Sequence, residues 1–147
     1  TDIVSAVMTP LLIVAVAAVV TIGGMKAHRR VPFVRLFPTL GLALTTVLIV
    51  VNKVGSPQFQ AWLFAIVVLG LVIDRRRWVG PGILVLASAG LTQLVYPLLY
   101  DGIVSPAVLP VAVLTLRNVA LVVLLGWMLV RLVRLPAPVP ALVRTIP

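Results

Sequence analysis

Residues 107–130 read AVLPVAVLTLRNVALVVLLGWMLV and contain a single charged side chain, that of Arg117. Because a bilayer core about 30 Å thick needs about 20 apolar residues per helix, this stretch predicts a transmembrane helix. Four further apolar stretches qualify or nearly qualify. The five predicted helices, named A to E, cover about 3–25, 36–54, 57–73, 78–99 and 107–130. We therefore expect an all-α, polytopic membrane bundle over residues 1–133, followed by a Pro-rich cytoplasmic tail at 134–147.

The composition supports lipid as the main solvent of this chain. Of its 147 residues, 62% are hydrophobic and 10% charged, with a mean hydropathy of +1.24. A soluble domain is about half apolar and about a quarter charged, and a chain of this size could not bury the excess in one core. The net charge of +9 does not indicate a nucleic-acid-binding domain, because the basic residues stand between apolar runs. Without Cys the chain has no disulfide, thiolate nucleophile or sulfur-ligated metal.

The distribution of charge predicts the orientation. The chain has twelve Lys and Arg against three Asp and Glu, and the positive-inside rule places cation-rich joints in the cytoplasm. Lys53 and Arg117 are then the two cations on the outer half. We expect an outside N-terminus and an inside C-terminus in a bacterial plasma membrane. The ten cations predicted to be cytoplasmic are Lys26, Arg29, Arg30, Arg35, Arg75, Arg76, Arg77, Arg131, Arg134 and Arg144.

Several local sequence features bear on the type and ends of the predicted helices. Helix A is not expected to be a signal peptide, because its positive charges follow the apolar run. Pro38 predicts a helix start or a kink in helix B. Helix C is short, about 25 Å at 1.5 Å per residue. The sequence DRRR at 74–77 is expected to be a solvated inner loop, and GPG at 80–82 to mark a helix end.

Candidate functional residues gather on the predicted outer side. If helix E begins near Val111, Arg117 lies about 9 Å below its outer end. A charge at membrane depth invites a functional explanation, although a structural Arg that snorkels to the interface remains equally open. Ser56 is a good N-cap and Pro57 a good first residue for helix C, and a helix N-terminus can bind an anion. Lys53 precedes this terminus, and Gln58 and Gln60 lie in its first turn.

A polar face on helix D completes the predicted site. Gln93, Tyr96 and Tyr100 recur at positions i, i+3 and i+7, which share one helix face. With the residues above they would line a pocket suited to a phosphate or pyrophosphate carried on a lipid. The spacing alone favours the other interpretation, in which these Tyr and Gln side chains form an ordinary aromatic belt and interhelical contacts. The predicted binding residues are Lys53, Ser56, Gln58, Gln93, Tyr96 and Arg117.

Three short motifs resemble a known enzyme family. Residues 52–63 read NKVGSPQFQAWL, which resembles the NKV-x-SPQ-[YF]-x-x-WL segment of actinobacterial polyprenyl-phosphate-dependent mannosyltransferases of glycosyltransferase family 87. The stretches LTQLVYPLLYD at 91–101 and LRNVAL at 116–121 follow in the expected order. The resemblance covers about 34–133 and corresponds to the C-terminal part of such an enzyme.

The resemblance implies a type-C membrane glycosyltransferase fold and a specific reaction. Mannose would pass, with inversion, from a polyprenyl-phosphate sugar to a lipid-linked glycan on the outer face. Lys53, Gln58, Gln93, Tyr96 and Arg117 would lie near the donor phosphate or sugar, with no metal or other cofactor expected. The acidic general base of the family lies in an early extracytoplasmic loop that has no counterpart here, so the catalytic residues stay unassigned.

The sequence leaves the role of the chain open. It could be the C-terminal portion of a longer enzyme, or a degenerate relative kept as an accessory subunit of a larger membrane complex. The motifs could also be coincidental, leaving a small membrane protein that binds lipid or a partner. A transporter or channel is less favoured, because the predicted helices carry few charges for an ion path.

Overall fold

The computed structural model describes residues 2–52, 58–95 and 108–137, and this part of the chain is helical without strands. The predicted all-α class is therefore confirmed, and each predicted helix corresponds in order to an observed one. The five described helices are α1 (Asp2–His28), α2 (Phe33–Val51), α3 (Phe59–Ile73), α4 (Arg75–Gln93) and α5 (Val108–Val133).

Three of these helices are long and apolar enough to cross a membrane. They comprise Val7–His28, Phe33–Val51 and Val108–Val133, whereas α3 is apolar but shorter. Large apolar side chains also cover the outer surface, with Val72 80% and Val108 88% exposed. Apolar surface on this scale is unfavourable in water. The structure therefore indicates a membrane protein.

Four helices close into a ring around the core. Helix α2 packs on α3, α3 on α4, α4 on α5, and α5 on α2. Each contributes a fully buried side chain to one contiguous apolar core, namely Leu42, Leu63, Val85 and Leu124. Helix α1 packs outside this ring against α2 and α5.

The antiparallel ring gathers the basic residues at one end, here called the basic end. There α1 and α5 end, α2 begins, and α3 joins α4. The opposite end, called the far end, holds the starts of α3 and α5 and the end of α4. Arg117 is the one described cation in the half of the bundle toward the far end. The described cations at the basic end are Lys26, Arg29, Arg30, Arg35, Arg75, Arg76, Arg77, Arg131 and Arg134.

The joint between α1 and α2 is shorter than predicted. Helix α1 continues to His28 because its end forms a Schellman motif, in which Arg30 adopts a positive φ of 56°. The Arg30 N–H donates to the Ala27 carbonyl at 2.9 Å, and the Val31 N–H to the Lys26 carbonyl at 3.1 Å. Helix α2 then starts at Phe33, three residues earlier than expected, so that Pro38 lies buried inside the helix.

The predicted loop at residues 74–77 is wrong. Asp74 ends α3 and is also the N-cap of α4, where its carboxylate accepts from the Arg77 N–H at 3.3 Å. The three following arginines therefore form the first turn of α4. At the other end of α3 the helix begins at Phe59 with Gln58 as its N-cap. The predicted start at Ser56 and Pro57 lies outside the described residues.

Candidate functional site: a buried arginine network at the far end

Arg117 lies inside the protein rather than at the surface. Helix α5 begins at Val108, so Arg117 is nine residues, or about 14 Å, along the helix axis. This is deeper than the 9 Å expected from a start at Val111. The residue is only 4% exposed. The interpretation of Arg117 as a cation that snorkels to the membrane surface is therefore wrong, because its guanidinium packs among the helices.

The guanidinium is held by a network of polar side chains from two other helices. Arg117 Nε donates to Thr92 Oγ1 at 3.1 Å, and Gln60 Nε2 donates to the same oxygen at 3.4 Å. Thr92 in turn donates to the Ser88 carbonyl at 2.7 Å, which completes the hydrogen-bonding capacity of its hydroxyl. Ser88 Oγ donates to Gln60 Oε1 at 3.2 Å. The network thus ties α3, α4 and α5 together.

Helical spacing explains why these side chains meet. Ser88 and Thr92 are four residues apart and share the buried face of α4 with Val85. Gln60 lies on the buried face of α3, three residues before Leu63. Both faces point into the ring, where Arg117 approaches from α5.

Gln60 lies in the region expected from the sequence, whereas Ser88 and Thr92 were not predicted as site residues. The available signal was their i, i+4 spacing on a helix otherwise lined by apolar and small residues. Such spacing identifies a polar face without identifying its partner, since Ser and Thr hydroxyls often bond only to their own helix. The predicted site instead used the larger polar side chains on the Gln93 face of the helix.

The predicted site residues have three different outcomes. Arg117 is buried in the network just described. Gln58 and Gln93 lie at the far end as expected, but both are exposed and neither belongs to the network. Lys53, Ser56, Tyr96 and Tyr100 lie outside the described residues.

The arrangement offers a fixed positive charge and exposed amides, and within the described ranges it offers no metal-binding cluster. In these ranges no group of three or more His, Asp or Glu side chains could hold a metal ion. A buried charge is expensive unless paired or hydrogen-bonded, and the Thr92 hydroxyl and the Asn118 amide oxygen, at 3.1 Å from Nη1, supply acceptors. The network can therefore hold three helices together around one buried positive charge.

Comparisons with known proteins found no relative of this chain. No family model, no curated protein and no solved structure matches this chain. The similarity to family 87 mannosyltransferases thus rests on the three sequence motifs alone.

Proposed function

We propose that this chain is the C-terminal membrane portion of a glycosyltransferase of the bacterial cell envelope. It would cross the plasma membrane several times, with the N-terminus outside and the C-terminus inside. Its substrates would be a polyprenyl-phosphate mannose donor and a lipid-linked glycan acceptor on the outer face. The proposal also places the missing general base in another part of the enzyme, either an N-terminal portion or a partner protein.

The observation that carries this proposal is the buried Arg117 network at the far end. An ionisable side chain within a membrane protein is costly and commonly marks a substrate site. Here Arg117 of α5 and Gln60 of α3 both donate to Thr92 of α4. These three residues belong to the motifs at 116–121, 52–63 and 91–101, respectively. One polar cluster therefore coincides with all three motifs.

A positive charge at this position has a clear use in glycosyl transfer. As the acceptor oxygen bonds to the anomeric carbon, the bond from that carbon to the donor phosphate oxygen breaks. The departing polyprenyl phosphate gains negative charge, which nearby cations and hydrogen-bond donors stabilise. Lys53 and Arg117 would supply the charge, while Ser56, Gln58, Gln93 and Tyr96 would orient the phosphate or sugar. The acceptor proton would pass to the general base supplied elsewhere.

The test is mannosyl transfer by the complete assembly carrying Lys53→Ala, Arg117→Ala or the charge-retaining Arg117→Lys. Loss of one charge-assisted contact should lower transfer by about 10- to 100-fold, with Arg117→Lys less affected than Arg117→Ala. Arg76→Ala is the matched control, because it removes an exposed cation at the basic end. Unchanged transfer and donor affinity in both alanine variants would contradict the assigned site.

A non-catalytic accessory subunit is the second candidate, and one observation favours it. The Arg117 side chain bonds to Thr92 and Asn118 of its own chain, as a purely structural arginine would. An accessory subunit should co-purify from native membranes with a larger membrane protein in fixed stoichiometry. Intact mass separates the two candidates, since a mass well above 15.7 kDa would identify a longer enzyme.

A further inference from the structure

A cavity of about 670 Å³ opens at the basic end, remote from the Arg117 network. Its walls come from the start of α2, the junction of α3 with α4, and the end of α5. This volume is typical of sites that bind small molecules or headgroups. Four arginines and one aspartate line it, which gives the lining a formal charge of +3.

Two of these four arginines already have partners within the protein. The Asp74 carboxylate lies 3.4 Å from Arg77 Nε and also caps α4. Arg131 stacks over the Trp78 ring at 4.8 Å and donates to the Arg77 carbonyl at 2.8 Å. These contacts hold two of the guanidinium groups in the wall of the cavity.

Arg35 and Arg134 are the groups left for a ligand. They reach the cavity from α2 and from the residue after α5, and both are exposed. Within the described ranges neither side chain forms a hydrogen bond or an ion pair. Two exposed guanidinium groups therefore line a cavity in which the Asp74 carboxylate is already paired with Arg77.

The helix dipoles do not cancel this attraction for an anion. Helices α2 and α4 begin at this end, whereas α1, α3 and α5 end there. The partial charges of the termini largely offset one another, at about half an elementary charge each. The full charges of the arginines therefore set the sign of the field in the cavity.

The cavity also has an apolar side that distinguishes a lipid from a free ion. Trp127 and Val130 line it from α5 and are 45% and 50% exposed on the outer surface of the bundle. Val34 and Ile73, likewise part of the lining, are exposed on the neighbouring helices. A molecule with its phosphate among the arginines could lay its acyl chains along these side chains.

We propose that this cavity binds the phosphate headgroup of an anionic membrane phospholipid, with Arg35 and Arg134 as its principal ligands. Arg77 and Arg131 form the fixed wall against which the phosphate rests. The proposal is independent of the glycosyltransferase assignment, because it concerns the opposite end of the bundle and needs no sugar donor.

The test is a titration of this chain in detergent micelles with phosphatidylglycerol, read out by native mass spectrometry. Work at about 0.15 M salt limits diffuse attraction to about 8 Å. The double variant Arg35→Gln/Arg134→Gln should lower the affinity for phosphatidylglycerol by about tenfold. The control double variant Arg75→Gln/Arg76→Gln removes the same charge from exposed residues of the basic end that lie outside the cavity lining. It should change the affinity for phosphatidylglycerol by less than about twofold.

A comparison lipid and a competing ion test whether the ligand is an anionic lipid or free phosphate. Phosphatidylcholine, which carries no net charge, should bind more weakly than phosphatidylglycerol, and excess inorganic phosphate should leave bound phosphatidylglycerol in place. Equal weakening by the two double variants would overturn the proposal, since attraction would then be spread over the whole basic end. Displacement of the lipid by inorganic phosphate would overturn the choice of a lipid ligand.

Discussion

Thr92 is the residue on which the far-end network depends. Its hydroxyl oxygen accepts from both Arg117 and Gln60 while its hydrogen goes to the Ser88 carbonyl. Arg117 could be selected from the sequence because a charge in an apolar run is conspicuous. Thr92 could not, because its importance comes from two partners on other helices, 25 and 32 residues away in the chain.

The substitution Thr92→Val should destabilise the protein by about 1–3 kcal/mol, because it leaves buried donors of Arg117 and Gln60 without their acceptor. Thr115→Val is a matched control. The Thr115 hydroxyl also donates to the carbonyl four residues earlier, at 2.8 Å, but the residue is exposed. We expect the control to stay within about 0.5 kcal/mol of wild type. Equal free energies of unfolding for the two variants in detergent would show that the network carries no stability.

At the scale of the elements, the α3–α4 hairpin depends on close contacts at glycine. Trp78, which is 2% exposed, packs against Gly70, and a Cβ at Gly70 would overlap the indole ring. Gly80 faces Trp127 in the same manner. The prediction that residues 80–82 mark a helix end is therefore wrong, because they lie inside α4 where a bulky neighbour needs room. Glycine alone in a sequence does not distinguish a helix end from a packing contact.

The substitution Gly70→Ala should destabilise the protein by about 1–3 kcal/mol, because Trp78 must shift to make room. Gly90→Ala, in α4, is the control, since nothing lies within 4 Å of a Cβ there. Alanine has the higher helix propensity, so the control should be neutral or stabilising by up to about 1 kcal/mol. Thermal unfolding in the same detergent compares the two. A Gly90→Ala variant less stable than Gly70→Ala would contradict this packing.

At the scale of the molecule, the apolar runs were sufficient to predict five helices in order. Their length reflects the thickness of a bilayer, a constraint that the sequence carries directly. Helix boundaries at the basic end differed from the prediction because the Asp74 side chain caps α4 and Arg30 adopts a left-handed backbone conformation. The ring of α2 to α5, and the cavity it leaves at the basic end, depend on packing between distant residues that no periodicity specifies.

The orientation of the bundle decides which side of the membrane each candidate site faces. We expect the far end to face outward, where the proposed lipid-linked substrates would be, and the basic end inward, toward the anionic inner leaflet. Because the chain contains no Cys, a single introduced thiol reports its own position without background. Gln58→Cys marks the far end and Arg76→Cys the basic end, both at exposed positions.

The most direct measurement is labelling of these two variants with a membrane-impermeant maleimide in intact and permeabilised cells. We expect Gln58→Cys to react in intact cells and Arg76→Cys to react only after permeabilisation. Reaction of Arg76→Cys in intact cells, with Gln58→Cys protected, would reverse the orientation and contradict the account of both sites.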